Sequence, residues 1–292
     1  GMEIVNIGAV SFPHAVNEAI RKSLAAGADF NSIKQQVKRN IQDQVDQLVE
    51  RYETLFLPPA VYYSVLMDGC IEEGCDLSAG LRYNNFGIHG AASANAADAL
   101  AAVKHIVFDE RSLDPWQLLE ALDTNYDGAE DLRLKLQQQA PKVGTRHALA
   151  DDMLVFLFDT FAEACERHQG NRRAVRIRPG TGSAMYYIWL AEGHQSMPEP
   201  VVGATADGRH QGDYFSANLA PSPGLRNDSP IAVFESFCQI DYQRIYNGGP
   251  VTVELSDSVF RNQEGLNKVA MLVRMFLRLG GQQLQINSLN AD

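Results

Sequence analysis

Residues 68–108 read DGCIEEGCDLSAGLRYNNFGIHGAASANAADALAAVKHIVF, and the changes of character within this stretch set the fold class. A short, uniformly apolar helix is expected from about Ala60 to Glu73, stopping at Gly74, because glycine accepts the left-handed conformation that ends helices. From 78 to 92, SAGLRYNNFGIHGAA alternates small residues and glycines with Tyr83, Asn84, Asn85 and His89. Such a stretch is expected to be a buried loop, in which polar side chains satisfy backbone groups that water cannot reach. A helix follows from about Ser93 through Val107, and its alanines let it approach neighbouring elements closely.

Toward the N-terminus, a helix opens near Pro13 with Ser11 as its cap. Val16, Ile20 and Leu24 form one apolar stripe, and Gly27 ends it. A longer helix starts at Ser32, where Ile33, Val37, Ile41, Val45, Leu48, Tyr52 and Leu55 recur at helical steps and mark a buried face. Pro58-Pro59 breaks it. Toward the C-terminus, helices are expected at 115–122, 128–139 and 147–168, and short strands at 174–178, 251–255 and 282–288. Residues 262–279 form a last amphipathic helix with Leu266, Val269, Leu272, Val273 and Phe276 inward. The long stretch 193–230 is too apolar and glycine-punctuated for a disordered linker, and loops of that length in a compact protein tend to be functional. Helices alternating with short apolar strands define a helix-rich α/β class. One domain is expected over 1–292, helical over 1–170 and richer in strands and loops over 171–292.

The composition excludes several function classes. With 45% hydrophobic and 21% charged residues, disorder and coiled coil are excluded for most of the length. Against 25 Lys+Arg stand 36 Asp+Glu, a net charge of −11, so no nucleic-acid partner is expected, because phosphate contacts need a basic face. No apolar run reaches the ~18 residues of a membrane span, and no signal peptide opens the chain. Cys70, Cys75, Cys165 and Cys238 form no CxxC pair and fit reduced thiols in the cytoplasm. The seven histidines have no metal-ligand spacing with one another or with cysteine, so no metal site is expected. Neither GxSxG, GxxxxGKS/T nor HExxH occurs, and Gly180-Thr181-Gly182 lacks the third glycine of a dinucleotide fingerprint.

Three stretches stand out: 68–108, ATADGR at 204–209 with its tail to Gly224, and GGQQLQIN at 280–287. Each alone has a plain structural explanation. Asp207-Gly208 is a turn dipeptide, Gly280-Gly281 a helix end, and the Tyr-Asn-Asn run a buried-backbone partner. In this order, however, they resemble the glycyl radical enzymes of the pyruvate formate-lyase and diol-dehydratase type. The family's CIExGxD appears as Cys70-Ile71-Glu72 with Gly74 and Asp76, and its GGAxYN as Gly80-Leu81-Arg82-Tyr83-Asn84. Its ADSLAAIK appears as Ala97 to Lys104, and its APKxGND as Ala140-Pro141-Lys142-Val143-Gly144 with Thr145-Arg146 in place of Asn-Asp. A family Asn-containing stretch matches Asn125-Tyr126-Asp127-Gly128. ATPDGR has Ala206 for proline, SPxxG is shortened to Ser222-Pro223-Gly224, and GGxxxQxN matches Gly280 to Asn287. The resemblance runs from about residue 10 to 292.

The resemblance implies the second half of a ten-stranded barrel whose recognisable loops line the interior. It implies a lyase or dehydratase (of formate C-acetyltransferase or dehydratase type) acting on a small polar molecule under anaerobic conditions. A family glycyl radical is stored in an RVxGY-type loop and acts through a cysteine thiyl. No RVxGY occurs in these residues, and the resemblance places the family's catalytic cysteine far enough before the Tyr83-Asn84 motif that it is expected upstream of residue 1. The chain alone is therefore expected to be inactive, with no cofactor of its own; in the intact family the radical is installed by a separate S-adenosylmethionine activating enzyme. Cys70 lies in a Gly-Cys-x-Glu stretch but matches the family's second, non-catalytic cysteine. Tyr83, Asn84 and His89 are the candidate substrate contacts, Tyr83 and Asn84 offering a hydroxyl and an amide to substrate or to buried backbone. Both are expected to be buried. Asp207, Gly208 and Arg209 are expected to pin their loop, Asp207 pairing with Arg209, and Asn287 to tie neighbouring backbone. A homo-oligomer is possible through apolar surface left uncovered. The other reading is a stand-alone homologue, without radical parts, that serves as a binding or assembly module; a native start at Met2 would favour it.

Overall fold

The computed structural model describes residues 6–170, 175–181, 185–195, 201–225 and 229–290. Strand β1 (Asn6–Ser11) runs straight into helix α1 (Phe12–Ala25). Ser11 ends the strand and caps the helix, its hydroxyl accepting from His14 N at 3.2 Å, with Pro13 in the first turn where its missing N–H costs nothing. Helix α2 (Phe30–Thr54) is capped by Asp29 and buries Ile33, Val37, Ile41, Val45 and Tyr52 at the spacing read from the sequence. Leu55 lies beyond its end and is exposed.

The single helix expected over 60–73 is instead two isolated turns, α3 (Val61–Ser64) and α4 (Cys70–Glu73). Gly69 separates them at φ 99°, where a Cβ would lie 2.6 Å from Arg82 N. Tyr62, Tyr63, Leu66 and Ile71 project from these turns into solvent.

The stretch expected as a buried loop is buried, but its second half is strand β2 (Asn85–Ala91). With β3 (Arg176–Thr181) it forms a parallel sheet in the order β1-β2-β3, and Ala9, His89 and Gly180 stand in one row across it. The glycines that argued against a strand are what permit this one. A Cβ on Gly90 would lie 2.4 Å from the Phe12 ring, and one on Gly87 would lie 2.0 Å from the Asn247 amide. Two strands therefore fall within 1–170, which the sequence pattern had marked as helical.

Helix α5 (Ser93–Ala102) is buried at every residue and continues as a π-helix over Val103–Asp109. It is followed by α6 (Pro115–Asp123), α7 (Glu130–Gln138) and α8 (Ala148–Glu166). Val10, Ile88 and Ile177 share one core with α1, α2, α5 and α8, where Phe12 meets Phe158 and Phe161 edge-on at 5.5 Å each. Beyond β3 come α9 (Tyr186–Glu192), α10 (Pro230–Phe237), β4 (Pro250–Ser256), α11 (Gln263–Arg278) and β5 (Gln283–Leu289).

Strands β4 and β5 form a second parallel pair. The chain entering β4 is bonded to β3, Asn247 N donating to Pro179 O and Thr181 N to Gly248 O, each at 3.0 Å. The stripe expected to face inward on α11 is only partly covered: Phe276 is buried against Phe234, but Leu266 is 44% exposed. Helix α10 packs against α11, and the first turn of α11 rests on the 3-10 turn Asp257–Phe260, where Gly265 is buried and a Cβ on it would lie 2.0 Å from Val259 O.

Candidate functional site

The motifs recognised in the sequence are far apart in the chain and meet in one buried polar network. Its floor is the first turns of α5. Asn95 donates to Asp207 Oδ2 at 2.7 Å, while its own Oδ1 accepts from Ser216 N at 2.8 Å. One turn on, Asp98 is fully buried; its Oδ1 accepts from Val143 N at 2.7 Å and its Oδ2 from the Ser222 hydroxyl at 2.6 Å. Alanine elsewhere on α5 leaves room for these partners to close in. Lys142, 5% exposed, donates to Asp207 O at 2.9 Å, and Gly144 N donates to the Ser236 hydroxyl at 2.9 Å.

The ATADGR loop closes on itself over this floor. Thr205 donates to Asp207 Oδ1 at 2.5 Å. Arg209 lies on the Phe215 ring at 3.8 Å and donates to the carbonyls of Val202 (3.0 Å), His210 and Asp213 (2.7 Å each), and to that of Gly203. The direct Asp207–Arg209 pair expected from the sequence does not form. Each charged group is bonded to other partners, and their influence on each other is through space. Gly208 sits at φ 91°, and a Cβ there would lie 2.7 Å from Arg133 O. Asn125 and Tyr126, both left-handed, reach the same loop: the Tyr126 hydroxyl donates to Thr205 O at 2.7 Å, and Asn125 Oδ1 accepts from Gln211 N at 2.7 Å.

Burial sets the electrostatics. It pushes the Asp98 carboxyl up to about 7, against the downward pull of Lys142, Ser222 and the Val143 N–H. It pushes the Tyr126 phenol up, and it lowers the Arg209 guanidinium while Asp207 supports it.

The network borders two open volumes. A cavity of about 340 Å³ has Asn95, Lys142, Asp207, Arg209 and Ser222 in its wall. A wider cleft of about 1130 Å³ runs between residues 215–225 and strands β4 and β5. Asn287, on β5, lines that cleft; its Oδ1 accepts from the Gln285 amide at 3.1 Å, a side-chain bond where a backbone tie was expected.

The candidate substrate contacts are not brought together here. His89 is buried on β2, and its Nδ1 has no hydrogen-bond partner among the described residues. Burial lowers its pKa, keeping the imidazole neutral at neutral pH. Asn84 precedes β2 at φ 45°, half-buried, and its carbonyl accepts from Arg176 N at 3.0 Å. Tyr83 is 55% exposed, against the expectation of burial, and lies beside Arg82, which pairs with Asp68 on the surface. Cys70 is buried in the first turn of α4, and burial raises its thiol pKa, with Asp76 adding to the effect. Sequence reasoning missed Asn95, Asp98, Tyr126 and Lys142 as network members. The available signal was a carboxylate and an amide on an otherwise alanine-rich helix face.

Among the described residues no cluster of His, Cys, Asp and Glu could hold a metal ion, and no helix is long and apolar enough to cross a membrane. The family described as pyruvate formate lyase-like matches residues 22–190, and the one described as glycine radical matches 215–292. Trans-4-hydroxy-L-proline dehydratase of Clostridioides difficile is 29% identical over 234 residues, 78% of this chain and 28% of its own length. (2S)-3-sulfopropanediol dehydratase of Klebsiella oxytoca is 24% identical over 283 residues, 92% of this chain and 33% of its own length. The chain thus spans a third or less of these curated relatives. The crystal structure of C. difficile hydroxyproline dehydratase with trans-4-hydroxy-L-proline bound superposes with a TM-score of 0.85 at 23% identity, covering 97% of this chain and 37% of that one.

Proposed function

The chain belongs to the pyruvate formate lyase-like family of glycyl radical enzymes, and on that premise we propose that it forms part of a glycyl radical lyase or dehydratase acting on a small polar molecule. The observation that carries this reading is the convergence of the Asn95–Asp98, Tyr126, Lys142, ATADGR and Ser222 motifs on one buried network beside an open cleft. The relatives named above are dehydratases, which favours removal of water from a hydroxylated substrate.

In this reading the five parallel strands, linked through Asn247 and Gly248, are one half of a barrel. His89 and Asn84 contact substrate, with Tyr83 meeting it from the exposed corner. His89 is the best supported of the three, since its buried Nδ1 has no partner among the described residues. Asp207, Gly208 and Arg209 hold their loop in shape, and Asn287 borders the cleft. The chain contains no RVxGY sequence, and Cys70 matches the family's second, non-catalytic cysteine, so in this reading Cys70 carries no radical. Radical carriers belong to other segments of the enzyme, a separate S-adenosylmethionine enzyme activates it, and the four thiols fit the cytoplasm. The exposed side chains of Phe56, Tyr62, Tyr63, Leu66 and Ile71 favour a second reading, a non-catalytic assembly module, by offering apolar surface to a partner or a second copy.

Two measurements separate the readings. Extending the coding sequence is expected to reveal a Gly-Cys-x-Glu upstream and an RVxGY downstream in the same frame; stop codons close on both sides would leave the assembly module. Anaerobic incubation of residues 1–292 with a family activating enzyme and S-adenosylmethionine is expected to give no glycyl radical doublet by electron paramagnetic resonance. A strong doublet with substrate consumption would overturn the assignment of radical carriers elsewhere.

A further inference from the structure

The cavity beside the ATADGR loop has an imbalance of hydrogen-bond donors. Its volume is about 340 Å³, within the range of small-molecule sites. The buried acceptors in its wall are occupied. Asp207 accepts from Asn95 and Thr205, and Asp98 just behind it accepts from Val143 N and Ser222. Arg209 is committed to its own loop, donating to four backbone carbonyls and to the Thr205 hydroxyl. At the mouth, the Asp213 carboxylate accepts from His210 N at 3.3 Å.

Lys142 is the exception. It is 5% exposed and donates a single hydrogen bond, to Asp207 O at 2.9 Å. An ammonium has three donors and no acceptor, and among the described residues the other two N–H groups of Lys142 meet none. Burying such a group without partners is costly. Gln137 stands across the cavity with the same polarity: its Oε1 accepts from Arg133, and its Nε2, beside Gly224, has no partner among the described residues.

We propose that this cavity binds the oxyanion of a small molecule, a carboxylate, sulfonate or phosphate group, with Lys142 as the charged contact and Gln137 as the neutral one. Lys142 already acts electrostatically on the Asp98 carboxyl; what an oxyanion adds is several acceptors for these N–H groups on two walls, in charge-assisted hydrogen bonds. The site requires no radical chemistry, so its test is independent of the function proposed above.

Acetate, methanesulfonate and inorganic phosphate are each titrated into the protein at constant ionic strength by calorimetry, with acetamide as the neutral control. At least one anion is expected to bind saturably at one site per chain, and acetamide not to bind. Lys142→Gln is expected to weaken that binding by about tenfold or more. Gln137→Glu, at a half-buried position beside Arg133, places a carboxylate against the anion and is expected to weaken it by about fivefold or more. Absence of saturable binding by all three anions overturns the proposal, as does acetamide binding equally well. Binding within about twofold of wild type in Lys142→Gln also overturns it; if that variant does not fold, the same result in Gln137→Glu decides.

Discussion

Asp98 Oδ2 and Ser222 Oγ lie 2.6 Å apart inside the protein although 124 residues separate them in the chain. The carboxylate also accepts the Val143 N–H, so one side chain on α5 joins three segments. Its protonation is linked to folding. Burial raises the folded-state pKa to about 7 from an ordinary value of 3.8, so between those values the folded chain holds a proton that the unfolded chain has lost. The contribution to stability is therefore fully present below 3.8 and is lost as pH rises through 7. Asp98→Asn removes this dependence. Urea unfolding of both proteins from pH 4 to 8 should show wild type losing stability relative to the variant across that window and running parallel to it above. Parallel curves throughout would exclude the linkage. The lowered pKa of His89 acts with the opposite sign in both proteins and cancels in the comparison.

Arg209 should not be replaceable by lysine. Its fork reaches carbonyls on both sides of the ATADGR loop, a geometry a single ammonium cannot reproduce. Arg209→Lys should leave two or more of these carbonyls without their protein partner, the buried one of Val202 costing about 1–3 kcal/mol if it is among them and the part-buried ones less. Hydrogen exchange should accelerate across 202–213 while α8 stays protected. Unchanged exchange in the loop would contradict the assignment.

Asn247 presses on the sheet in two different ways. A Cβ on Gly87 would meet its side-chain amide, and a Cβ on Gly180 would meet its backbone carbonyl at 2.1 Å. Gly87→Ala and Gly180→Ala should each destabilise by about 1–3 kcal/mol. Asn247→Gly should rescue the first only in part, since Asn6 Oδ1 at 2.4 Å remains in the way of that Cβ, and the second not at all. Equal rescue of both, measured as a double-mutant cycle by denaturant unfolding, would contradict this geometry.

The cysteines should label in a fixed order. Cys75 is exposed, Cys238 half-buried with its thiol pushed up to about 11, and Cys70 and Cys165 are buried. Mass spectrometry after brief alkylation at neutral pH should find Cys75 modified first and Cys70 and Cys165 last. Early modification of Cys70 would reopen its assignment as unreactive.

Much of the fold was legible in the sequence because helices announce themselves by periodicity. The stripe Ile33, Val37, Ile41, Val45 and the cap at Ser11 appear where the spacing places them. β1 and β2 were not legible. An interior parallel strand needs no alternation of polar and apolar residues, and the glycines of β2 carry a tertiary message, the approach of Phe12 and Asn247, that a local pattern resembles a loop. Within the site, the motifs were visible but their mutual contacts were not. Asp207 and Arg209 are two residues apart and look like a pair, yet Asn95, 112 residues from Asp207, makes the bond. Tyr83 is exposed although glycines and small residues surround it in the sequence, and no helix or strand period marks that position as outside the core.

The long reach of these bonds also has a kinetic consequence. Asn95 and Asp98 sit on an early helix, but Asp207, Ser216 and Ser222 emerge from the ribosome more than a hundred residues later. Until then the Asn95 amide and one oxygen of Asp98, whose other oxygen accepts from Val143 N, have water in place of these partners. Closing loops of that size is entropically costly and slow. The arrival of the ATADGR segment is thus the event that exchanges that water for protein partners.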